Sequence, residues 1–171
     1  MTTKIAFFLF TMSVAAAAQT PAGAQADSPF RYRWNGYGYV GAGGGMADDG
    51  SGGFRGGGAG AEGFLWRGFT AGADVSVFQE TYLLANRTFG HAGVNAGYHF
   101  ASRAKTRGMD PFVLFGVGGF FPDEPKAVVH GGGGFTYWFN QRLGVRFEAR
   151  VGERMRGDDI VSTVRLGVAF R

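Results

Sequence analysis

The chain has 171 residues, a formal net charge of +4, 45% apolar residues and no cysteine. Without cysteine there is neither a disulfide framework nor a thiolate metal site. The mild positive balance is spread along the chain, with no Lys/Arg cluster on a recognition motif, so a nucleic-acid footprint is excluded.

The N-terminus carries Lys4, an apolar run from Ile5 to Ala18, and the small-residue tripeptide Ala24-Gln25-Ala26. This is the pattern of a cleavable export signal over residues 1–26, leaving one domain over 27–171. A retained membrane anchor is the alternative, but the run is shorter than the roughly 20 residues that a spanning helix needs. Glycine, at 32 residues, opposes helix formation by about 1 kcal/mol at each interior position. Together with 18 Phe it points to β structure, with bulky groups on one face and small ones on the other.

After a lead-in at Asp27–Arg33, the pattern predicts a first strand over Trp34–Gly45, with a facing left open because Tyr37 and Tyr39 oppose Val40 and Ala42. Met46–Gly53 reads as a turn by composition. The second strand is expected over Phe54–Leu65, with Gly56, Gly58, Gly60 and Glu62 opposed to Gly57, Ala59, Ala61, Gly63 and Leu65. Trp66-Arg67-Gly68 is a tight turn. The third strand, Phe69–Phe78, alternates most cleanly: Phe69, Ala71, Ala73, Val75 and Val77 against Thr70, Gly72, Asp74 and Ser76. Gln79–Arg87 is a loop.

A fourth strand is predicted over Thr88–Phe100, with His91, Gly93, Asn95, Gly97 and His99 on one side. Ala101–Asp110 is basic and turn-rich. The fifth strand is expected to start at Pro111, a permitted place for proline, and to end at Phe121. Both of its faces are apolar, so its orientation is left open. Pro122–Lys126 is a short loop before the sixth strand, Ala127–Phe139, which has His130, Gly132, Gly134, Thr136 and Trp138 on one face. Asn140–Arg142 turns the chain into a last hairpin. There Leu143, Val145, Phe147, Ala149 and Val151 oppose Gly144, Arg146, Glu148 and Arg150. Then Ile160, Val164, Leu166, Val168 and Phe170 oppose Thr163, Arg165, Gly167 and Ala169.

Eight strands of roughly 9–13 residues are the length that crosses a bilayer at a tilt. The fold class is therefore all-β, an eight-stranded antiparallel up-and-down transmembrane β-barrel. Arg or Lys facing lipid at the midplane costs about 2–4 kcal/mol. Arg146, Arg150 and Arg165 must then point inward, where Glu62, Asp74 and Glu148 balance them in a lumen ion-pair network. An eight-stranded barrel is filled by its own side chains, which argues against a wide pore. Tyr37, Tyr39, Trp66, Phe69, Tyr98, Phe100, Tyr137 and Phe139 lie near strand ends and are candidates for an interfacial aromatic girdle.

The export signal, the eight strands and the ending Val164–Phe170 (VRLGVAF) resemble the small outer-membrane β-barrel family, of which the OmpA membrane domain and OmpX are members. The resemblance implies an outer-membrane location and a monomer. It implies contact with outer-membrane lipid or lipopolysaccharide, and an assembly signal at Val164, Leu166, Val168 and Phe170 read by the barrel-assembly machinery. Arg171, after the usual terminal aromatic, departs from that signal. The family's lipid A deacylases carry a His-x-Ser-Asn stretch, and neither His99 nor His130 is followed by one. His91, His99 and His130 also lack metal-ligand spacing. The reading is therefore a structural or surface-interaction barrel with no cofactor and no enzymatic activity. Arg55, Arg87 and Arg154–Arg156 are candidates for lipid-phosphate contacts. Its rivals are an outer-membrane lipid-modifying enzyme and a soluble lipocalin-like barrel. The soluble barrel would need the bulky apolar set inside and Arg146, Glu148 and Arg150 in water.

Overall fold

The structure, a computed structural model, describes residues 34–47, 50–80, 87–100, 108–121, 126–154 and 160–171. The expected export signal lies outside the described residues. Eight strands run β1 (Trp34–Ala47), β2 (Gly50–Trp66), β3 (Phe69–Glu80), β4 (Thr88–His99), β5 (Gly108–Phe121), β6 (Lys126–Trp138), β7 (Leu143–Arg154) and β8 (Ile160–Phe170). Each pairs antiparallel with its sequence neighbour, and β8 pairs with β1 to close the barrel. Closure removes both sheet edges, so every strand has two hydrogen-bonding neighbours.

The end where β1 begins is called the proximal rim and the other the distal rim. The proximal rim holds Arg67-Gly68 and the turn at 139–142. Arg67 (φ 45°) and Gly68 (φ 93°) both occupy the left-handed region, the requirement of a two-residue hairpin whose twist matches its strands. At the other turn the Asn140 side-chain oxygen accepts from the backbone N–H of Arg142 (2.8 Å) and Leu143 (2.9 Å). The connections do not sort into a short-turn end and a long-loop end. β1 and β2 are separated only by 48–49 at the distal rim, and β4 and β5 by 100–107 at the proximal rim.

Two boundaries differ from the sequence expectation. Met46–Gly53 is mostly strand, with Gly44↔Gly53, Gly45↔Gly52 and Ala47↔Gly50 in register. Glycine composition reads as turn, but ladder bonds use only the backbone, and β8 holds β1 as far as Met46↔Ile160. β5 begins at Gly108, so that Asp110 and Pro111 face Thr136 and Phe135 of β6. Pro111 stands beyond the end of the β4 ladder at His99↔Phe112, and its carbonyl accepts from Phe100 N–H at 2.8 Å. Its missing donor therefore breaks no bond to β6.

Facing follows period two all round the wall. On β3, Phe69, Val75 and Val77 are exposed while Thr70, Asp74 and Ser76 are buried. The two strands left unoriented by sequence now have a direction. Asn35, Tyr37 and Tyr39 of β1 point into the lumen, as do Asp110, Phe112 and Leu114 of β5. The outer wall carries Val40, Val94, Phe115, Val117, Phe147, Val151, Leu166 and Val168, all at least one-third exposed. Apolar outside and charged inside is the inverse of a water-soluble protein.

Candidate functional site

The lumen holds the chemistry, and glycine makes room for it. The inward face of β2 is Gly56, Gly58 and Gly60, in register with Gly41, Tyr39 and Tyr37 of β1. A methyl group on Gly60 would come within 2.6 Å of the Tyr37 ring, and one on Gly58 within 2.7 Å of the Tyr39 hydroxyl. Likewise a methyl on Gly132 would crowd the Arg150 backbone at 3.0 Å. Such distances are below van der Waals contact, so each inward bulky group occupies space that a neighbouring glycine leaves open. Tyr37 and Tyr39 consequently line the lumen at 4% and 8% exposure. This corrects their expected place in an outer girdle.

Glu62, Asp74, Arg146, Glu148, Arg150 and Arg165 all lie in this lumen and meet one another. Arg146 bridges Glu62 (2.8 Å) and Glu148 (2.9 Å). Arg150 donates to Glu148 through Nε and to Asp74 through Nη1 at 2.8 Å. Arg165 reaches Asp74 at 3.1 Å and Glu148 at 3.5 Å. Four strands supply these groups: β2, β3, β7 and β8. The rings of Tyr37 and Tyr39 lie under the guanidinium groups of Arg146 and Arg165 at 4.4 and 4.6 Å.

The sequence reading missed one pair. Asp110 falls in the expected turn-rich stretch and His99 has no expected partner, yet His99 Nδ1 is 3.0 Å from Asp110 and its Nε2 is 3.2 Å from Glu62. With a carboxylate at each ring nitrogen, the imidazole carries both protons. The charges of this connected network are then Glu62, Asp74, Asp110 and Glu148 against His99, Arg146, Arg150 and Arg165, and they cancel. The missed signal was phase: Asp110 precedes Phe112 and Leu114 by even steps on the buried face of β5.

The other two histidines sit on the distal side of the network. The Asn95 side-chain N–H₂ donates to Asp74 at 2.8 Å, so its oxygen is left to accept from His130 Nε2 at 2.6 Å. His91 lies 6.0 Å from His130 between ring centroids, with Nδ1 3.8 Å from Asp74. Above them Phe54, Phe78, Phe89 and Phe120 pack edge-on or tilted at 5.1–5.6 Å. The Tyr39 hydroxyl donates to Asp74 at 3.4 Å on the same side.

On the outside, aromatic residues gather at the proximal rim. Trp66, Phe69, Phe100, Tyr137 and Phe139 are exposed there, and Tyr98 contacts Phe69 and Phe100 at 4.9 and 5.0 Å. Trp34 and Phe170, which the girdle expectation did not include, join them edge-to-face at 6.2 Å. Val164, Leu166, Val168 and Phe170 point outward along β8. Arg171 turns back: its backbone N–H donates to Arg142, its Nε to Gln141 at 2.7 Å, and its guanidinium covers Trp138 at 4.2 Å. Arg55 and Arg87 are exposed towards the distal rim. Of Arg154–Arg156, the Arg154 side chain and residues 155–156 lie outside what is described.

No family model and no curated protein matches the chain by sequence. Solved structures do match it in three dimensions. Neisserial surface protein A superposes with a TM-score of 0.64 at 9% identity, over 80% of this chain and 96% of that one. Ail, the attachment invasion locus protein of Yersinia pestis, gives 0.54 at 14%, over 81% and 97%. The N-terminal β-barrel domain of Pseudomonas aeruginosa OprF gives 0.51 at 17%, over 78% and 96%.

The fold is that of the small outer-membrane β-barrels. At these identities the likeness is one of architecture, and the role rests on this chain's own surfaces.

Proposed function

We propose that this chain is an outer-membrane β-barrel with a filled lumen and a structural or surface-interaction role. The observation that carries it is the inverted facing. A continuous apolar wall surrounds a charge-neutral interior, an arrangement that loses its driving force in water and gains it in lipid. The aromatic belt at the proximal rim fits the level of the headgroups. A soluble lipocalin-like barrel would need Arg146, Glu148 and Arg150 in water, and they are 2–4% exposed inside.

In this reading residues 1–26 direct export, and the β8 face of Val164, Leu166, Val168 and Phe170 presents the assembly signal. Arg55 and Arg87, with Arg154–Arg156, contact phosphates of lipopolysaccharide. An Arg on the outer wall costs little near an interface, about 0–1 kcal/mol, and Arg55 and the exposed Gln79 beside it face each other across β2 and β3 at that level.

Cell fractionation with electrophoresis of heated and unheated samples tests the proposal. The protein should pellet with outer membranes and migrate faster unheated. Full recovery in the soluble periplasm would overturn it. Replacing Arg55 and Arg87 with Gln should sensitise cells to detergent without altering the fast-migrating form, and unchanged permeability would remove the lipid-phosphate role.

A further inference from the structure

Distal to the ion network, the lumen contains a cavity of about 30 Å³ lined by Phe54, Phe78, His91, Phe120, Val128, His130, Arg150, Gly152, Val161, Thr163 and Arg165. A cavity needs roughly 10–15 Å³ by this measure to hold one water, so there is room for a water pair or a monatomic ion. No carboxylate lines it. Asp74 and Glu148 spend their oxygens on the far side, on Arg146, Arg150, Arg165 and Asn95.

Three of the lining residues carry an unused donor. Arg150 Nη2, Arg165 Nε and Thr163 Oγ1 have no hydrogen-bond partner among the described residues, while His91 Nδ1 lies 3.8 Å from Asp74. Arg150, Arg165 and His91 are only 4–5% exposed, so bulk water does not satisfy them. Buried donors in this state cost about 1–3 kcal/mol each, and they are satisfied together by one acceptor. Two guanidinium groups line the cavity and no carboxylate does, which favours an anion over a metal cation.

We propose that this chamber binds a small inorganic anion of halide size, taken up together with a proton on His91 or His130. The second half of the proposal follows from charge. The eight-member network is already neutral, so an added anion needs a compensating cation in a site shielded from solvent. Only the two histidines can supply one. His91 on β4 is faced by Asp74 of β3, Phe120 of β5, His130 of β6, Arg150 of β7 and Arg165 of β8. His130 on β6 is faced by Asn95 and His91 of β4, Asp74 of β3, Arg150 (3.3 Å from Nε2) with Glu148 behind it on β7, and Arg165 of β8. An anion seated between the two guanidinium groups and the two rings attracts a proton to the ring beside it. Proton and anion therefore favour each other's binding.

The test uses the full barrel, residues 27–171, refolded in detergent, with bromide as the probe. Bromide affinity, followed by bromine NMR line broadening, should rise about tenfold per pH unit as pH falls from about 8 to about 5, the slope of one coupled proton. Crystals grown in bromide at the acid end should give an anomalous peak within hydrogen-bonding distance of Arg150 Nη2 and Arg165 Nε. The H91Q/H130Q double variant, its folding checked by unheated migration, should bind weakly and without pH dependence. Bromide affinity that is flat with pH in the unmodified barrel, or a chamber holding water alone at the acid end, would overturn the proposal. If the double variant does not fold, proton uptake by the unmodified barrel on bromide addition decides the question alone, one proton per anion supporting it and none overturning it.

Discussion

The two halves of the lumen are built from the same residue types and arranged oppositely. In the proximal half, aromatic rings pack against cations: Arg146 lies 3.8 Å over Phe112, His99 stacks on that ring at 5.3 Å, and Arg171 covers Trp138. In the distal half, Phe54, Phe78, Phe89 and Phe120 pack against one another and leave Arg150 and Arg165 with spare donors. The proximal half is thus an ion-paired plug, and the distal half holds a small cavity beside Arg150 and Arg165. The difference between the halves is therefore space: rings cover the cations in the one, and a cavity borders them in the other.

Removing a partner from the shared network should have the largest effect. Glu148→Ala removes one of the two carboxylates from each of Arg146, Arg150 and Arg165 and should cost about 3–5 kcal/mol, read as a lowered urea midpoint for the fast-migrating folded form. Next comes a charge on the opposite side of the wall. Phe115→Lys should cost about 2–4 kcal/mol in lipid vesicles, whereas in a soluble barrel this 60% exposed site would tolerate it. A finer comparison sets one buried ring of each half against the other. Phe112→Ala should exceed Phe78→Ala by about 1–2 kcal/mol, because only the former also removes a desolvated cation–π contact. The smallest effect belongs to Arg171. Deleting it removes two hydrogen bonds at an exposed turn and the contact with Trp138 and should cost about 1 kcal/mol, with the heated and unheated bands unchanged.

Much of this was legible from period two alone. On β3, β7 and β8 a charge or hydroxyl marks one face and branched or aromatic residues the other, so Asp74, Arg146 and Arg165 declare their direction. β1 and β5 do not, because each alternates apolar with apolar or with glycine. What orients β1 is the glycine row of β2 in register with it, and register between strands is a property of the closed barrel rather than of either segment. The same limit hid Asp110. Pro111 reads as a strand start, and only the pairing Asp110↔Thr136 extends β5 far enough to bring its carboxylate to His99.

The absence of cysteine permits a direct test of the inverted facing. Single Cys substitutions at Phe147, Ala149, Val164 and Leu166, and at Gly152 and Thr163 on the opposite face, would carry a fluorophore into vesicles containing brominated lipid. Strong quenching at the first four positions and weak quenching at the last two is the expected result. Equal quenching on both faces, or none at Phe147 and Leu166, would contradict an apolar wall in contact with lipid.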